Sequence, residues 1–189
     1  MIINKNNIKK INVDFVDKEM GFISYNDNVF KILSYFGSLF KNEIILDLGT
    51  NTGQSALALR NQNDDNLIIS YDIMRNEIPY GRTKYRNIFF KILDINQEFP
   101  AILKNSKLMY LDVDPHDGIQ ERIFIDKLIE IGYTGLVLCD DIHLNSGMER
   151  FWNSVTQIKH DLSDIGHNHP SGEIYGTGLI DFTQKIEVI

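Results

Sequence analysis

Short apolar runs recur along this chain, each followed by a polar turn and then by a stretch with helical spacing. Residues 43–48 read as a strand, and residues 53–61 as a helix that opens on a glycine turn. Residues 67–72 (Leu-Ile-Ile-Ser-Tyr-Asp) predict a second strand, residues 86–93 a third, residues 107–112 a fourth and residues 135–140 a fifth. Near-continuous apolar runs of this length are what a parallel sheet needs when both faces are covered. Residues 119–131 carry apolar side chains at 119, 123, 124, 128 and 131, one face of a helix. Val29, Phe30, Ile32, Leu33, Phe36, Leu39 and Phe40 predict another helix, laid over the sheet ahead of the first strand. Residues 173–189 read as extended and are expected to close the sheet. The prolines at 79, 100, 115 and 170 all fall between periodic segments. The alternation predicts an α/β, doubly wound, Rossmann-like domain with a mostly parallel sheet and helices on both faces. One domain is expected over 1–189, with 1–40 as an N-terminal helical cover and 41–189 as the core.

Composition narrows the field. The chain has 189 residues, 43% hydrophobic and 24% charged, enough for one domain with a real core. Its formal net charge is −7, and Lys9-Lys10 is the main basic pair, so nucleic acid is a poor partner. No apolar run approaches the roughly 18–20 residues of a membrane span. The polar, Asn/Lys-rich start does not read as a signal peptide. The single cysteine, Cys139, lies inside an apolar run and reads as a buried small hydrophobe. These features lead us to expect a cytoplasmic setting and no membrane partner.

In an open α/β sheet, ligands bind beyond the carboxyl ends of the strands. Here those ends are acidic: Asp47, Asp72, Asp112 and the pair Asp140-Asp141, with Asp94 just after the third strand. A single aspartate at such a place often caps a helix. Five such ends along one edge point to chemistry. The first carries Asp47-Leu48-Gly49-Thr50-Asn51-Thr52-Gly53. Its glycine spacing is G-x-x-x-G, not the G-x-G-x-x-G of a dinucleotide fold. The run resembles the first motif of class I S-adenosylmethionine-dependent methyltransferases, over about 43–141 of the chain.

That resemblance implies a seven-stranded sheet and a set of roles. Gly49 and Gly53 would let the backbone approach the methionine and ribose of S-adenosylmethionine. Asp47 would orient the loop or bind the cofactor's amino group, with Thr50 and Asn51 in the same loop. Asp72 would accept both ribose hydroxyls, Ile73 would pack on the adenine, and Asp94, with Ile95 beside it, would accept the adenine amino group. Asp112 completes the cofactor set.

A second constellation follows the fourth and fifth strands: Leu111-Asp112-Val113-Asp114-Pro115-His116-Asp117-Gly118 and Cys139-Asp140-Asp141-Ile142-His143. Adjacent parallel strands lie about 4.8 Å apart, so these carboxylates converge. Gathered carboxylates repel one another and call for a cation, and hard oxygen donors suit Mg²⁺, Mn²⁺ or Ca²⁺. The pattern resembles metal-dependent O-methyltransferases, which implies Asp112, Asp140 and Asp141 as ligands of Mg²⁺ or Mn²⁺. Asp114 is a rival for the place of Asp112, and His143 a further ligand for a Mn²⁺-like ion. The alternative is that Asp114 and Asp117 make a tight turn while Asp140-Asp141 cap a helix.

Catechol-type relatives carry a lysine shortly after the fourth-strand aspartate. This chain has none there, which leaves His116 or His143, with Asp114 as a further candidate, as the catalytic base. The expected reaction is methyl transfer to a hydroxyl of a sugar, glycan or polyol. The alternatives are a catechol or phenol acceptor and, in another class, an NAD-dependent oxidoreductase. Other residues invite both bland and functional readings. His160 reads as a surface helix residue. Trp152 reads as core or as a stacking face, and Tyr25 as part of a substrate-covering segment. The His167-Asn168-His169 loop reads as a plain loop or a polar pocket wall. The basic tract at 80–86 reads as a solvated loop or an anion-recognition element.

Overall fold

The computed structural model describes residues 1–14, 27–74, 85–165 and 175–189. Tyr25, His167 and His169 lie outside these residues, as does most of the basic tract at 80–86. Nine strands are described: β1 (Ile2–Ile3), β2 (Ile44–Leu48), β3 (Leu67–Asp72), β4 (Ile88–Ile92), β5 (Leu108–Leu111), β6 (Leu136–Cys139), β7 (Ile158–Asp161), β8 (Gly178–Asp181) and β9 (Glu187–Val188). The described α-helices are α1 (Lys5–Lys9), α2 (Asp27–Ser38), α3 (Gln54–Arg60), α4 (Pro100–Asn105), α5 (Ile119–Glu130) and α6 (Ser146–Ser154).

Seven strands form one sheet in the order β4-β3-β2-β5-β6-β8-β7. The five from β4 to β6 run parallel, and β8 pairs antiparallel with both β6 and β7. Successive strand residues go to opposite cores, as the two-residue period of a strand requires. Ile45, Ile68, Leu108 and Leu136 join the core on one face, beneath α2 and α3, whereas Leu46, Ile69, Met109 and Val137 join the core on the other, beneath α5 and α6. Both faces are dry, which is why the central strands are apolar at nearly every position. The chain runs outward from β2 to β3 and β4, then returns to place β5 beside β2. That return creates the topological switch point, the ligand crevice of doubly wound sheets.

Two expectations change in detail. The extended C-terminal stretch does two jobs. Gly178–Asp181 enters the main sheet between β6 and β7, while Glu187–Val188 pairs with Ile2–Ile3 in a separate two-stranded sheet. His160 is not on a helix but in β7, an edge strand with the sequence Ile-Lys-His-Asp. An edge strand is dry on one side only, so polar residues hide its two-residue pattern. Trp152 belongs to the core: it is buried in α6, and a Cβ on Gly178 of β8 would lie 2.5 Å from its ring. Cys139 is fully buried, as expected, and burial pushes its thiol pKa up.

Candidate active site

Beyond Leu48 the chain turns sharply. The Gly49 and Thr50 N–H groups both donate to the carbonyl of Tyr71 on β3, at 2.9 and 3.0 Å. Gly49 takes a φ of 105°, and a Cβ there would lie 1.6 Å from the carbonyl oxygen of Asp112. The structural demand for glycine at 49 therefore comes from the neighbouring strand end. Gly53 has a φ of 85° and stands as the N-cap of α3.

Asp47 is fully buried beneath this loop. Its Oδ2 accepts the Ser70 hydroxyl at 2.6 Å, and Ser70 Oγ lies 2.6 Å from Thr50 Oγ1. Burial pushes the Asp47 carboxyl up to about 6, against the Ser70 hydrogen bond. Asp47 and Thr50 thus hold the loop from below and do not reach the cavity.

A cavity of about 600 Å³ opens at the carboxyl ends of β2, β3, β4 and β5. Gly49, Asn51, Asp72, Ile73, Asp94, Ile95, Asp112, Asp114 and His116 all line it, as does Tyr71. Asp72 is held by backbone amides: its Oδ2 accepts Asn51 N–H at 3.0 Å and its Oδ1 accepts Met74 N–H at 2.9 Å. Asp94 caps the short 3₁₀ turn Ile95–Gln97, accepting Asn96 N–H at 2.9 Å. Ile73 is 70% exposed, an apolar side chain facing open space. An adenosine-sized ligand would meet polar acceptors at two corners and an apolar wall between them.

The acidic cluster adjoins this cavity. Leu111 on β5 pairs with Cys139 on β6, which sets Asp112 beside Asp140. The Tyr110 hydroxyl lies between them, 2.8 Å from Asp140 Oδ2 and 3.3 Å from Asp112 Oδ2. Thr177 donates to Asp140 Oδ1 at 3.2 Å. Desolvation, followed by the charges of Asp140 and Asp141, pushes the Asp112 carboxyl well above its ordinary range, although a third of its side chain still faces the cleft. Burial and the Asp140 charge raise Asp141 to about 7.

His116 Nε2 stands 3.4 Å from Asp112 Oδ1 and 3.8 Å from Asp114 Oδ1. Its carbonyl accepts Asn145 Nδ2 at 2.8 Å, so the N-terminus of α6 anchors the loop. Asn51, His116 and Asp141 all take positive φ values, of 42°, 52° and 55°. Non-glycine residues adopt that region at a cost, and such strain gathers at functional sites.

His143 faces elsewhere. Its Nε2 pairs with Asp161 Oδ2 of β7 at 2.8 Å, and it is not among the cavity-lining residues. Asp140, Asp141 and Gly53 are not cavity-lining either. Among the described residues, no group of three or more His, Cys, Asp or Glu side chains forms a ready-made metal cluster.

Three buried polar residues escaped the sequence reading. Tyr110 sits two positions before Asp112, so the two-residue strand period puts both on one side, a signal that was available. Glu98 is buried and accepts hydrogen bonds from Tyr71, Lys91 and Phe99 N–H. Glu121 is buried in the first turn of α5, 3.9 Å from His116 Nδ1, and burial raises its carboxyl. The partners of the last two are fixed only by the fold.

No protein-family profile and no curated protein sequence matches the chain. Solved structures do. Cofactor-bound Rv0187 from MTB is 12% identical with a TM-score of 0.63, over 96% of this chain and 88% of that one. The O-methyltransferase from Bacillus cereus in complex with SAH is 12% identical with a TM-score of 0.59, over 91% and 92%. The O-methyltransferase TomG from Streptomyces achromogenes, involved in tomaymycin synthesis and solved with SAM, is 14% identical with a TM-score of 0.56, over 88% and 85%. With its sheet order and its crevice between β2 and β5, the chain has the Rossmann-like fold of S-adenosylmethionine-dependent O-methyltransferases.

Proposed function

We propose that this protein is an enzyme that transfers a methyl group from S-adenosylmethionine to a hydroxyl of a sugar, glycan or polyol, using a divalent cation held by Asp112, Asp140 and Asp141. The observation that carries the reading is the convergence of strand-end carboxylates beside a cavity lined by Asp72, Ile73 and Asp94.

The cofactor fits the residues present. A carboxylate offers about four acceptor positions, so Asp72 can serve backbone amides and ribose hydroxyls together. The cation fits by chemistry: the donors are hard oxygens, and burial, followed by the charges of neighbouring carboxylates, raises Asp112 and Asp141. It is this charge, and not a preformed cage, that argues for an ion.

When bound, the sulfonium supplies an activated methyl group, and the divalent ion makes a coordinated hydroxyl more acidic. The chain's own residues do the rest. The Gly49 turn and Asp72 orient the donor, so that transfer becomes a question of position. His116, which lines the cavity, takes the hydroxyl proton at Nε2. The stretch Val113-Asp114-Pro115-His116 has no lysine and is polar at the cavity mouth, which favours an aliphatic polyol over a catechol. Asp114, with a side chain 96% exposed, is available there to an acceptor hydroxyl. Location inside the cell and the absence of a nucleic-acid or membrane partner belong to the same proposal; no helix among the described residues is long and apolar enough to cross a membrane.

The test is transfer of labelled methyl to a panel of oligosaccharides, polyols and phenols, with Mg²⁺, Mn²⁺ or EDTA. Product on a sugar or polyol that disappears with EDTA and in Asp140→Ala supports the reading. Full turnover of Asp140→Ala in EDTA removes the metal, and product on phenols alone removes the acceptor class.

A further inference from the structure

Glu98 has no part in the scheme above, yet it is buried and hydrogen-bonded from three places. It follows the 3₁₀ turn that begins after Asp94, and only 4% of it is exposed. Burying a carboxylate this completely is costly unless it is paired and hydrogen-bonded. Three donors meet it from three places. The Tyr71 hydroxyl, at the end of β3, reaches Oε2 at 2.6 Å. Lys91 Nζ, on β4, reaches the same oxygen at 2.6 Å. The N–H of Phe99 reaches Oε1 at 2.9 Å. Lys91 Nζ also stands 5.3 Å above the Tyr71 ring. Burial works against the charge, but these donors outweigh it and hold the carboxyl down to about 2.

The donors matter because of what lies next to them. Tyr71 is the residue before Asp72, and it is among the residues that line the cavity. Lys91 is three residues before Asp94. Glu98 therefore ties together the two strand ends that present the cavity's carboxylates, and closes the turn that carries Asp94 and Ile95.

We propose that Glu98 is a positioning residue for the adenosyl half of the cofactor, which it serves by fixing the spacing between Asp72 and Asp94 through Tyr71 and Lys91. The inference rests on the cofactor reading above. A rigid pair of acceptors reads an adenosine by its ribose hydroxyls at one end and its 6-amino group at the other. A loosened pair still binds but discriminates less. An analogue with oxygen in place of that amino group, S-inosylhomocysteine, sets a carbonyl acceptor where the 6-amino donor stood and moves the nearest donor to N1, so the ratio of its affinity to that of S-adenosylhomocysteine reports how closely Asp94 is held to position 6.

The experiment is calorimetric titration of the full-length protein with these two compounds, well below the unfolding temperature of each variant. The wild type is expected to prefer S-adenosylhomocysteine. Glu98→Gln is expected to lose about tenfold in affinity for it and to bring the two affinities together. Tyr71→Phe keeps the cavity wall but deletes the bracing hydroxyl, and is expected to move the ratio in the same direction; it carries the test should Glu98→Gln not fold. A role in stability alone would lower the unfolding temperature and leave the ratio untouched, which would overturn the proposal. If the wild type bound neither compound, the cofactor reading would fall and this inference with it. If it bound and discriminated while both variants matched it, only the brace would fall.

Discussion

Asp47 is a carboxylate with no exposure to solvent, and its Oδ2 accepts the Ser70 hydroxyl. It anchors the strand-to-helix turn through Ser70 and Thr50, and it does so at a cost. Burial raises its carboxyl from 3.8 to about 6, so the folded protein binds this proton more tightly than the unfolded chain. The sign follows from linkage. The contribution to stability is complete below the unfolded value near 4 and is lost as pH rises through 6. Asp47→Asn has no proton to lose. Urea unfolding in EDTA is therefore expected to show the variant gaining on the wild type by about 2 kcal/mol between pH 4 and pH 7.5. A difference that stays constant over that range would mean that Asp47 titrates normally. Gly49 shows the same logic of close quarters, since its backbone touches the strand end that carries Asp112 and leaves no room for a side chain.

Between elements, Trp152 of α6 packs closely against Gly178 of β8. No φ value demands glycine at 178; the indole does, with its ring 2.5 Å from where a Cβ would stand. Gly178→Ala is expected to cost about 1–3 kcal/mol by overpacking. Adding Trp152→Phe makes room, so the double variant is expected to be more stable than the sum of the singles, by at least about 0.5 kcal/mol in a double-mutant cycle. Simple additivity would show that β8 and α6 adjust independently. This contact was invisible in the sequence because Trp152 and Gly178 meet only after β8 enters the sheet between β6 and β7. The strands β2, β3, β5 and β6 were legible because both their faces are buried and nearly every position is apolar, Asp47, Ser70 and Asp72 being the exceptions. The Ile-Lys-His-Asp strand β7 was not, because Ile158 is its one apolar residue, whereas the opposite edge strand β4 (Ile-Phe-Phe-Lys-Ile) is apolar enough to be read. Of the cavity, Asp72, Ile73, Asp94 and Asp112 could be read from their places at strand ends. Glu98 could not, since its meaning depends on Tyr71, 27 residues away.

For the molecule as a whole, an excess of acid is concentrated where the strands end. The chain carries a net charge of −7, and Asp112 and Asp141 both hold protons more tightly than usual, Asp141 to about 7. Carboxylates raised in this way lend stability at low pH and withdraw it as pH rises through 7. On the proposed reading, protons and a divalent ion would therefore compete for the same oxygens. Added Mn²⁺ is expected to stabilise little at pH 5.5 and strongly at pH 8. At a hundred times its dissociation constant it would add about 2.7 kcal/mol, or roughly 5–10 °C in unfolding temperature for a domain of this size. Asp141→Asn separates repulsion from coordination. Without metal at pH 8 it is expected to melt higher than the wild type, because one of the crowded charges is gone. With Mn²⁺ it is expected to gain less than the wild type, because one donor is gone. The two shifts have opposite signs, so a general loosening of the fold cannot mimic them. A Mn²⁺ gain independent of pH, or an Asp141→Asn variant that melts lower in EDTA and gains fully with Mn²⁺, would show that the acidic strand ends serve some end other than holding a cation.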